Sequence, residues 1–433
     1  MSAGYAEFLA RKERAHDVYG HNVNAEQVHG MLHDWQNELV RWACEVGRCA
    51  LWADTGLGKT VMQVEWARLS GTRSLIIAPL AVCAQTVREA AKVGVIARYA
   101  RNDQEAAGPG LWVTNYERVQ AFDPEGFDAV VLDEASILKQ SDGKTRTALI
   151  LWASVVRRRL ACTATPAPND VEELTSQAEW VGASTRVNML SSYFVHDSDK
   201  GWRLKGHARR PMMRWMSSWA VALRRPSDLG YPDEGYNLAG LDVLPHLIAA
   251  PDLTPDDQLF ATDLGGVGGR SKVRRATMID RCALAADLVN AEPDEPWVLW
   301  CGLNDEADLL CKLIPGAVNV QGSDTPEEKA RKLLAFADGE IKVLVTKPSL
   351  AAFGLNWQHC ARMAFVGLSD SYEAYYQAIR RCYRYGQTRR VHAHVVLSDI
   401  EGQIAVNIAR KERASTSVLD ELVREMRAAK EMV

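Results

Sequence analysis

The stretch Leu51-Trp-Ala-Asp-Thr-Gly-Leu-Gly-Lys-Thr60 constrains this chain more than any other. Ala50 to Ala53 is short and apolar, as the end of a buried strand has to be. Gly56 and Gly58 let the backbone curl tightly, and Lys59-Thr60 open a helix running through Val61, Val64 and Ala67. A strand that breaks into such a loop and then a helix turns backbone N–H groups and a helix N-terminus toward an anion. The lysine of such a loop reaches terminal phosphates, and its threonine hydroxyl ligates Mg²⁺. The sequence therefore predicts a nucleoside triphosphate site built from Asp54, Thr55, Gly56, Leu57, Gly58, Lys59 and Thr60. The strict pattern asks for glycine at position 53, where this chain has Ala53.

From the loop onward, apolar runs alternate with helical patterns. Residues 74–79, 111–115, 129–134 and 159–166 read as strands, and 81–92 as a helix. That alternation predicts a parallel sheet covered on both faces, with ligands at the carboxyl ends of its strands. Upstream, Val28, Met31, Leu32, Trp35, Leu39 and Trp42 fall near helical spacing and predict a helix over 25–48. Gln36 on that helix is, by itself, a solvated position. A second β/α series starts near Pro296, with strands at 297–300, 317–320, 341–345, 363–366 and 391–397 and helices at 304–314 and 325–336. At 433 residues there is room for two or three domains. The expected division is 1–178, a mainly helical insertion and linker at 179–289, and 290–433. The fold class expected is α/β, two parallel-sheet domains in tandem.

The middle stretch departs from the alternation. Trp202, Trp215 and Trp219 are interleaved with Arg203, Lys205, Arg209, Arg210, Arg214, Arg224 and Arg225. A loop follows at 226–240, then Arg270, Lys272, Arg274 and Arg275 after the glycine-rich 265–269. Aromatics among cations suit phosphate contacts and base stacking. They equally suit a helix that buries its tryptophans and solvates its arginines. The formal charge of -4 gives no global nucleic-acid footprint, so any such surface is local.

Composition narrows the class. A hydrophobic fraction of 47% and a charged fraction of 24% are those of an ordinary globular protein. No apolar run is long enough to span a membrane, and Met1 to Arg14 lacks the apolar core of a signal peptide. The nine cysteines include no Cys-x-x-Cys pair, so no zinc is expected and a reduced, cytoplasmic protein fits.

Three further constellations carry chemistry. Asp133-Glu-Ala-Ser136 closes an apolar strand about seventy residues after the phosphate loop. Phosphoryl transfer to water needs a carboxylate on Mg²⁺ and a group on the attacking water. Asp133 and Glu134 supply the two. Thr163-Ala-Thr-Pro166 ends the neighbouring strand with two hydroxyls, which alone would be an ordinary turn. Arg381 and Arg384, in the segment 377–387, are three apart and would share one face of a helix. An arginine brought onto a γ-phosphate stabilises transition-state charge. The bland alternative is a solvated basic face.

Together these residues resemble helicase superfamily two, and more closely its Snf-type branch. The resemblance runs through Gln36, the loop 53–60, Ile77-Ala-Pro79, Asp133–Ser136 and Thr163–Pro166, then Phe353-Gly-Leu-Asn356 and Gln377–Gln387. The last segment is very similar to the branch's Gln-Ala-x-x-Arg-x-x-Arg-x-Gly-Gln pattern. The resemblance implies two RecA-like domains with ATP and Mg²⁺ between them and DNA across both. It implies that Gln36 reads the adenine, that Thr163 and Thr165 couple nucleotide to the DNA track, and that Arg381 and Arg384 act as fingers. Ser349, Gly354 and Asn356 would lie near nucleic acid or nucleotide, and Arg209, Arg210 and Arg214 would contact phosphates. Ala53 in place of the first glycine is normal for the superfamily. Asp133-Glu-Ala-Ser136 is neither of the superfamily's usual four-residue boxes, so its last position says nothing about RNA or DNA. The chain is similar to short, stand-alone members found in bacteriophages. The expectation by analogy is a monomeric, ATP-dependent DNA helicase or translocase, preferring duplex, in replication or recombination alongside other proteins of that pathway. The rivals are an RNA helicase and a nucleotide-gated DNA-binding switch.

Overall fold

The computed structural model describes residues 19–139, 143–197, 201–249, 274–351, 356–369, 371–398 and 402–430. They form two compact units. One comprises Met1–Glu234 with Arg413–Val433, the other Gly235–Glu412.

The first unit is built on a seven-stranded sheet of order β3-β4-β2-β5-β6-β1-β9, with every pairing parallel. The strands are β1 (Arg48–Ala53), β2 (Arg73–Ala78), β3 (Ala97–Tyr99), β4 (Gly110–Asn115), β5 (Ala129–Leu132), β6 (Arg158–Cys162) and β9 (Ala220–Leu223). The central strands are apolar and buried along nearly their whole length, as a sheet covered on both faces requires. β7 (Phe194–Asp197) and β8 (Gly201–Leu204) form a separate antiparallel hairpin. Chain order and strand order differ so that β1, β6 and β5 are consecutive in the sheet. The loops leaving their carboxyl ends are the phosphate loop, Thr163–Pro166 and Asp133–Ser136.

The second unit has a six-stranded parallel sheet, β10-β15-β14-β11-β13-β12. Its strands are β10 (Leu241–Ile248), β11 (Trp297–Cys301), β12 (Val318–Val320), β13 (Val343–Thr346), β14 (Arg362–Val366) and β15 (Val391–Ser398). One face buries Trp300, Phe336, Trp357 and Phe365, closed by Ile404 and Ile408. The other packs the helices Met278–Ala291 and Asn304–Leu313 through Ala285, Val289 and Leu310. The expected fold class, two parallel-sheet α/β domains in tandem, is the observed one.

Four expectations need correction. The helix predicted over 25–48 is two pieces, a 3₁₀ turn at Ala25–Gln27 and an α-helix at Asp34–Val46. Gln36 causes the late start, since its Oε1 accepts from the His33 N–H and caps the helix there. The boundaries also differ. The stretch after 178 is no free-standing insertion, because β9 pairs with β1 over Ala50↔Ala220 to Ala53↔Leu223. Likewise β10 pairs with β15 over eight positions, so the second unit opens at Gly235 and not at 290. Finally, residues 413–433 return to the first unit, where Val418, Leu422 and Val423 join the core of Met212, Met216 and Trp219. Short strands such as Ala-Val-Ala-Leu carry too little pattern to be told from a helix segment.

The two readings of the tryptophan–arginine stretch are thereby decided for the tryptophans. Trp219 is fully buried, and Trp215 packs against it edge-on at 5.4 Å between centroids. Trp202 is half-buried against the same core and His196. Arg209 pairs with Glu421 at 2.7 Å and Arg210 with Glu425 at 3.1 Å, both on the helix Gly402–Lys430. Arg214 is exposed.

Candidate nucleotide site

The phosphate loop joins β1 to the helix Lys59–Ser70. Gly56 and Gly58 have φ of 86° and 72°, the left-handed region that glycine enters without cost. At Gly58 a Cβ would also lie 2.5 Å from the Gln36 amide nitrogen, which would have to move. Gln36 is itself buried and donates to the Leu57 carbonyl at 3.0 Å. One side chain thus caps its own helix and braces the loop. Asp54 accepts from the Thr55 N–H at 2.6 Å, and Leu57 N–H reaches back to the Asp54 carbonyl. Lys59 folds over the loop, its Nζ 2.8 Å from the Ala53 carbonyl and 3.3 Å from that of Asp54. The ammonium is held over the curl, where an anion's charge would be compensated. Thr60 is half-buried in the helix's first turn.

Asp133 leaves the end of β5 and is 5% exposed. Gln63, one turn beyond Lys59 on the same helix and fully buried, donates to its Oδ1 at 2.7 Å. The Glu134 N–H donates to the same oxygen at 3.0 Å. Burial raises the Asp133 pKa, against the pull of the Gln63 hydrogen bond and the Lys59 charge. A bound cation would reverse that shift. Glu134 has φ of 48°, the one non-glycine residue with positive φ among those described. Such strain persists only where surrounding structure enforces it. Tyr116 is one enforcer, its hydroxyl donating to the Asp133 carbonyl at 2.6 Å.

The Thr163 hydroxyl approaches the Glu134 carboxylate at 3.5 Å and accepts from the Thr165 N–H at 3.1 Å. The loop is fixed to β1 by a relay. Trp52 Nε1 donates to Gln177 at 2.7 Å, and Gln177 donates to the Pro166 carbonyl at 2.7 Å. Thr165 Oγ1 and Gln63 Oε1 are buried with no hydrogen-bond partner among the described residues. Orphaned buried oxygens of this kind mark places where a further group completes the hydrogen bonding. The Thr60 hydroxyl and the Asp133 carboxylate are oxygen donors of the sort Mg²⁺ takes alongside phosphate and water. The residues present fit a nucleotide with its metal.

Gln63, Tyr116, Trp52 and Gln177 were not singled out from sequence. Gln63 had a usable signal, a polar residue four beyond Lys59 on the face that must meet the sheet. The other three are named only by the fold.

The second unit's candidates fall in different local structures. The helix predicted under Arg381 and Arg384 ends at Ile379, and both arginines lie on the turns that follow. The helix stops because long-range bonds capture the backbone. Trp357 N–H donates to the Arg381 carbonyl at 2.9 Å, while Gln387 Nε2 donates to the carbonyls of Cys360 and Cys382. Arg381 is 4% exposed and its guanidinium turns back onto Gln377. Ser349 lines a cavity of about 210 Å³ with Arg274, Lys347, Gly302 and Ser369, at the carboxyl ends of β11, β13 and β14. Among the described residues that line it, none is acidic. Asn356 Oδ1 is buried without a partner among the described residues. Gly354 lies outside the described residues, as do Arg270, Lys272 and the glycines at 265–269. No helix among the described residues is long and apolar enough to cross a membrane.

A family model described as the SNF2-related domain matches residues 29–183, and one described as the helicase conserved C-terminal domain matches 281–386. Protein p41 of Acyrthosiphon pisum secondary endosymbiont phage 1 is 22% identical over 463 residues, covering 90% of this chain and 98% of p41. Among solved structures, the Sulfolobus solfataricus SWI2/SNF2 ATPase core in complex with dsDNA aligns over 94% of this chain and 99% of that one. Its identity is 17% and its TM-score 0.44.

Proposed function

The chain belongs to the Snf-type branch of helicase superfamily two, and from that premise we propose that it hydrolyses ATP to move along DNA, with duplex as its preferred track. The observation that supports this reading most is the convergence of the loops after β1, β6 and β5. A folded-over Lys59 follows β1 there, and a buried Asp133 and strained Glu134 follow β5, with β6 between the two strands.

The loop N–H groups and Lys59 hold the phosphates, and Gln36 meets the adenine. Thr60 and Asp133 hold Mg²⁺, which neutralises phosphate charge when bound. Glu134 accepts a proton from the water that attacks the γ-phosphorus. The bond to the β-phosphate oxygen breaks and ADP leaves with the electron pair. Arg381 and Arg384 supply charge to the transferring phosphoryl group. Thr163, within reach of the Glu134 carboxylate, passes the state of the nucleotide to the loop 163–166. In the second unit Ser349 is the candidate nucleic-acid contact, and Asn356 serves nucleic acid or nucleotide. Of Arg209, Arg210 and Arg214, Arg214 is the phosphate contact, while Arg209 and Arg210 are engaged by Glu421 and Glu425. The phage origin of p41 supports a role in phage DNA replication or recombination.

The test is ATP turnover without nucleic acid and with single-stranded DNA, duplex DNA or RNA. Duplex DNA should stimulate at least as well as single strands, and longer duplexes more. The protein should also displace a triplex-forming third strand from blunt DNA when ATP is present. Stimulation by RNA alone would favour the RNA helicase, and opening of forked duplexes without triplex displacement a strand-separating enzyme. Turnover indifferent to all three would leave the nucleotide-gated switch.

A further inference from the structure

The turn that carries the two arginines is held unevenly. On the Arg381 side the clamps are buried hydrogen bonds from Trp357 and Gln387. On the Arg384 side the chain is more open, and Tyr385 is 40% exposed. Among the contacts described there, two involve Tyr385. The Tyr385 carbonyl accepts from Gln358 Nε2 at 3.2 Å, and the Tyr385 ring stacks on Tyr236, with centroids 4.7 Å apart and planes at 26°.

Tyr236 comes from far away in sequence. It is the second residue of the second unit, and its approach depends on Gly235, whose φ is 78°. A Cβ at Gly235 would lie 3.4 Å from the Tyr385 ring, so the backbone runs close beside the aromatic face. We infer that Tyr236 is a positioning residue for the proposed arginine chemistry, acting through Tyr385 on Arg384. Tyr385 is the next residue to Arg384, so fixing its ring restrains the backbone from which the Arg384 side chain is hung. A guanidinium meant for a transferring phosphoryl group must be placed before the reaction, because misplacement by a fraction of an ångström loses rate rather than binding. The inference rests on the arginine assignment made above.

The experiment uses the full chain and ATP turnover with saturating duplex DNA. Tyr236→Ala should lower kcat about three- to tenfold, the range set by one offset-stacked pair. The KM for ATP, the half-saturating DNA concentration and the Tm should stay at their wild-type values. Tyr236→Phe should restore kcat, since stacking does not need the hydroxyl. In an Arg384→Ala background, Tyr236→Ala should cost nothing more. An equal loss in both backgrounds, or no restoration by phenylalanine, overturns the inference. A low kcat for Arg384→Ala beside a wild-type kcat for Tyr236→Ala overturns this inference alone. A wild-type kcat for Arg384→Ala overturns the arginine assignment, and the inference with it.

Discussion

The phosphate loop and the arginine turn are both short, glycine-marked segments, yet they are held in opposite ways. The first is shaped mainly by neighbours in sequence: Gly56 and Gly58 take left-handed φ, Asp54 accepts from the Thr55 N–H, and Lys59 bonds the Ala53 and Asp54 carbonyls. Gln36 reaches in from the preceding helix to Leu57. The turn at 380–386 is shaped from a distance, by Trp357, Gln358 and Tyr236, and by Cys360 through Gln387. A locally determined site can be read with its conformation from sequence. A remotely determined one can be read as a motif, but its conformation belongs to the fold.

The largest effects should separate binding from chemistry across these two segments. Lys59→Ala should abolish tight ATP binding, because the ammonium compensates phosphate charge in the ground state. Glu134→Gln should keep binding and lower kcat by about 10²–10⁴, the range for losing a general base. Arg381→Ala and Arg384→Ala should each lower kcat strongly, by about 10³ where the full finger effect applies. Nucleotide titration beside turnover distinguishes the cases. A Glu134→Gln variant that turns over at the wild-type rate breaks the assignment.

Next in size comes a test of how local the first unit really is. Leu422 is fully buried in the first unit's core, although it stands near the chain's far end. Leu422→Ala should cost about 2–5 kcal/mol, the usual range for a buried leucine. The Tm should fall by several degrees and denaturant unfolding should shift in parallel. A wild-type Tm would show that residues 413–433 pack too loosely to belong to that core.

The same contrast explains what sequence could disclose. The first sheet's central strands, and the placement of Lys59 after β1 and of Asp133 and Glu134 after β5, follow from apolar runs ending in charged or hydroxyl residues. β9 and β10 did not, because Ala220–Leu223 is too short to carry a period and Leu241–Ile248 follows a loop-like passage. Trp215 and Trp219 were ambiguous because burial depends on partners two hundred residues away. Arg209 and Arg210 were ambiguous for the same reason, since sequence gave no sight of Glu421 and Glu425.

Those arginines supply a smaller test. Arg214→Ala should weaken DNA binding evenly across sequences and lower the salt slope by about 1. Arg210→Ala should change the slope less, because its charge is already opposed by Glu425 at 3.1 Å, an exposed pair worth at most about 1 kcal/mol. Affinity measured over a range of salt decides the order. Equal slopes for wild type and Arg214→Ala would leave the basic face a solvated surface.

The smallest effect lies at the β10 edge of the second sheet, where the determinant is again remote in sequence. His246 on β10 and His394 on β15 share a ring-nitrogen hydrogen bond of 2.9 Å, with His394 tilted against Trp297. Burial, then the neighbouring His246 and His392, lowers the His394 pKa to about 4 from an ordinary 6.5. Arg362 pushes the same way and Glu292 opposes it. A histidine whose folded pKa is depressed stays neutral in the fold while the unfolded chain takes up the proton. The unfolded state then binds more protons between pH 6.5 and 4, so this contribution is intact above 6.5 and is lost as pH falls toward 4. Carboxylates titrate over part of the same range, so the difference between wild type and His394→Gln is the informative quantity. The fall in Tm from pH 7 to pH 4.5 should be smaller in His394→Gln by ~1–2 °C. Identical falls would mean that the pair is solvated enough to titrate normally.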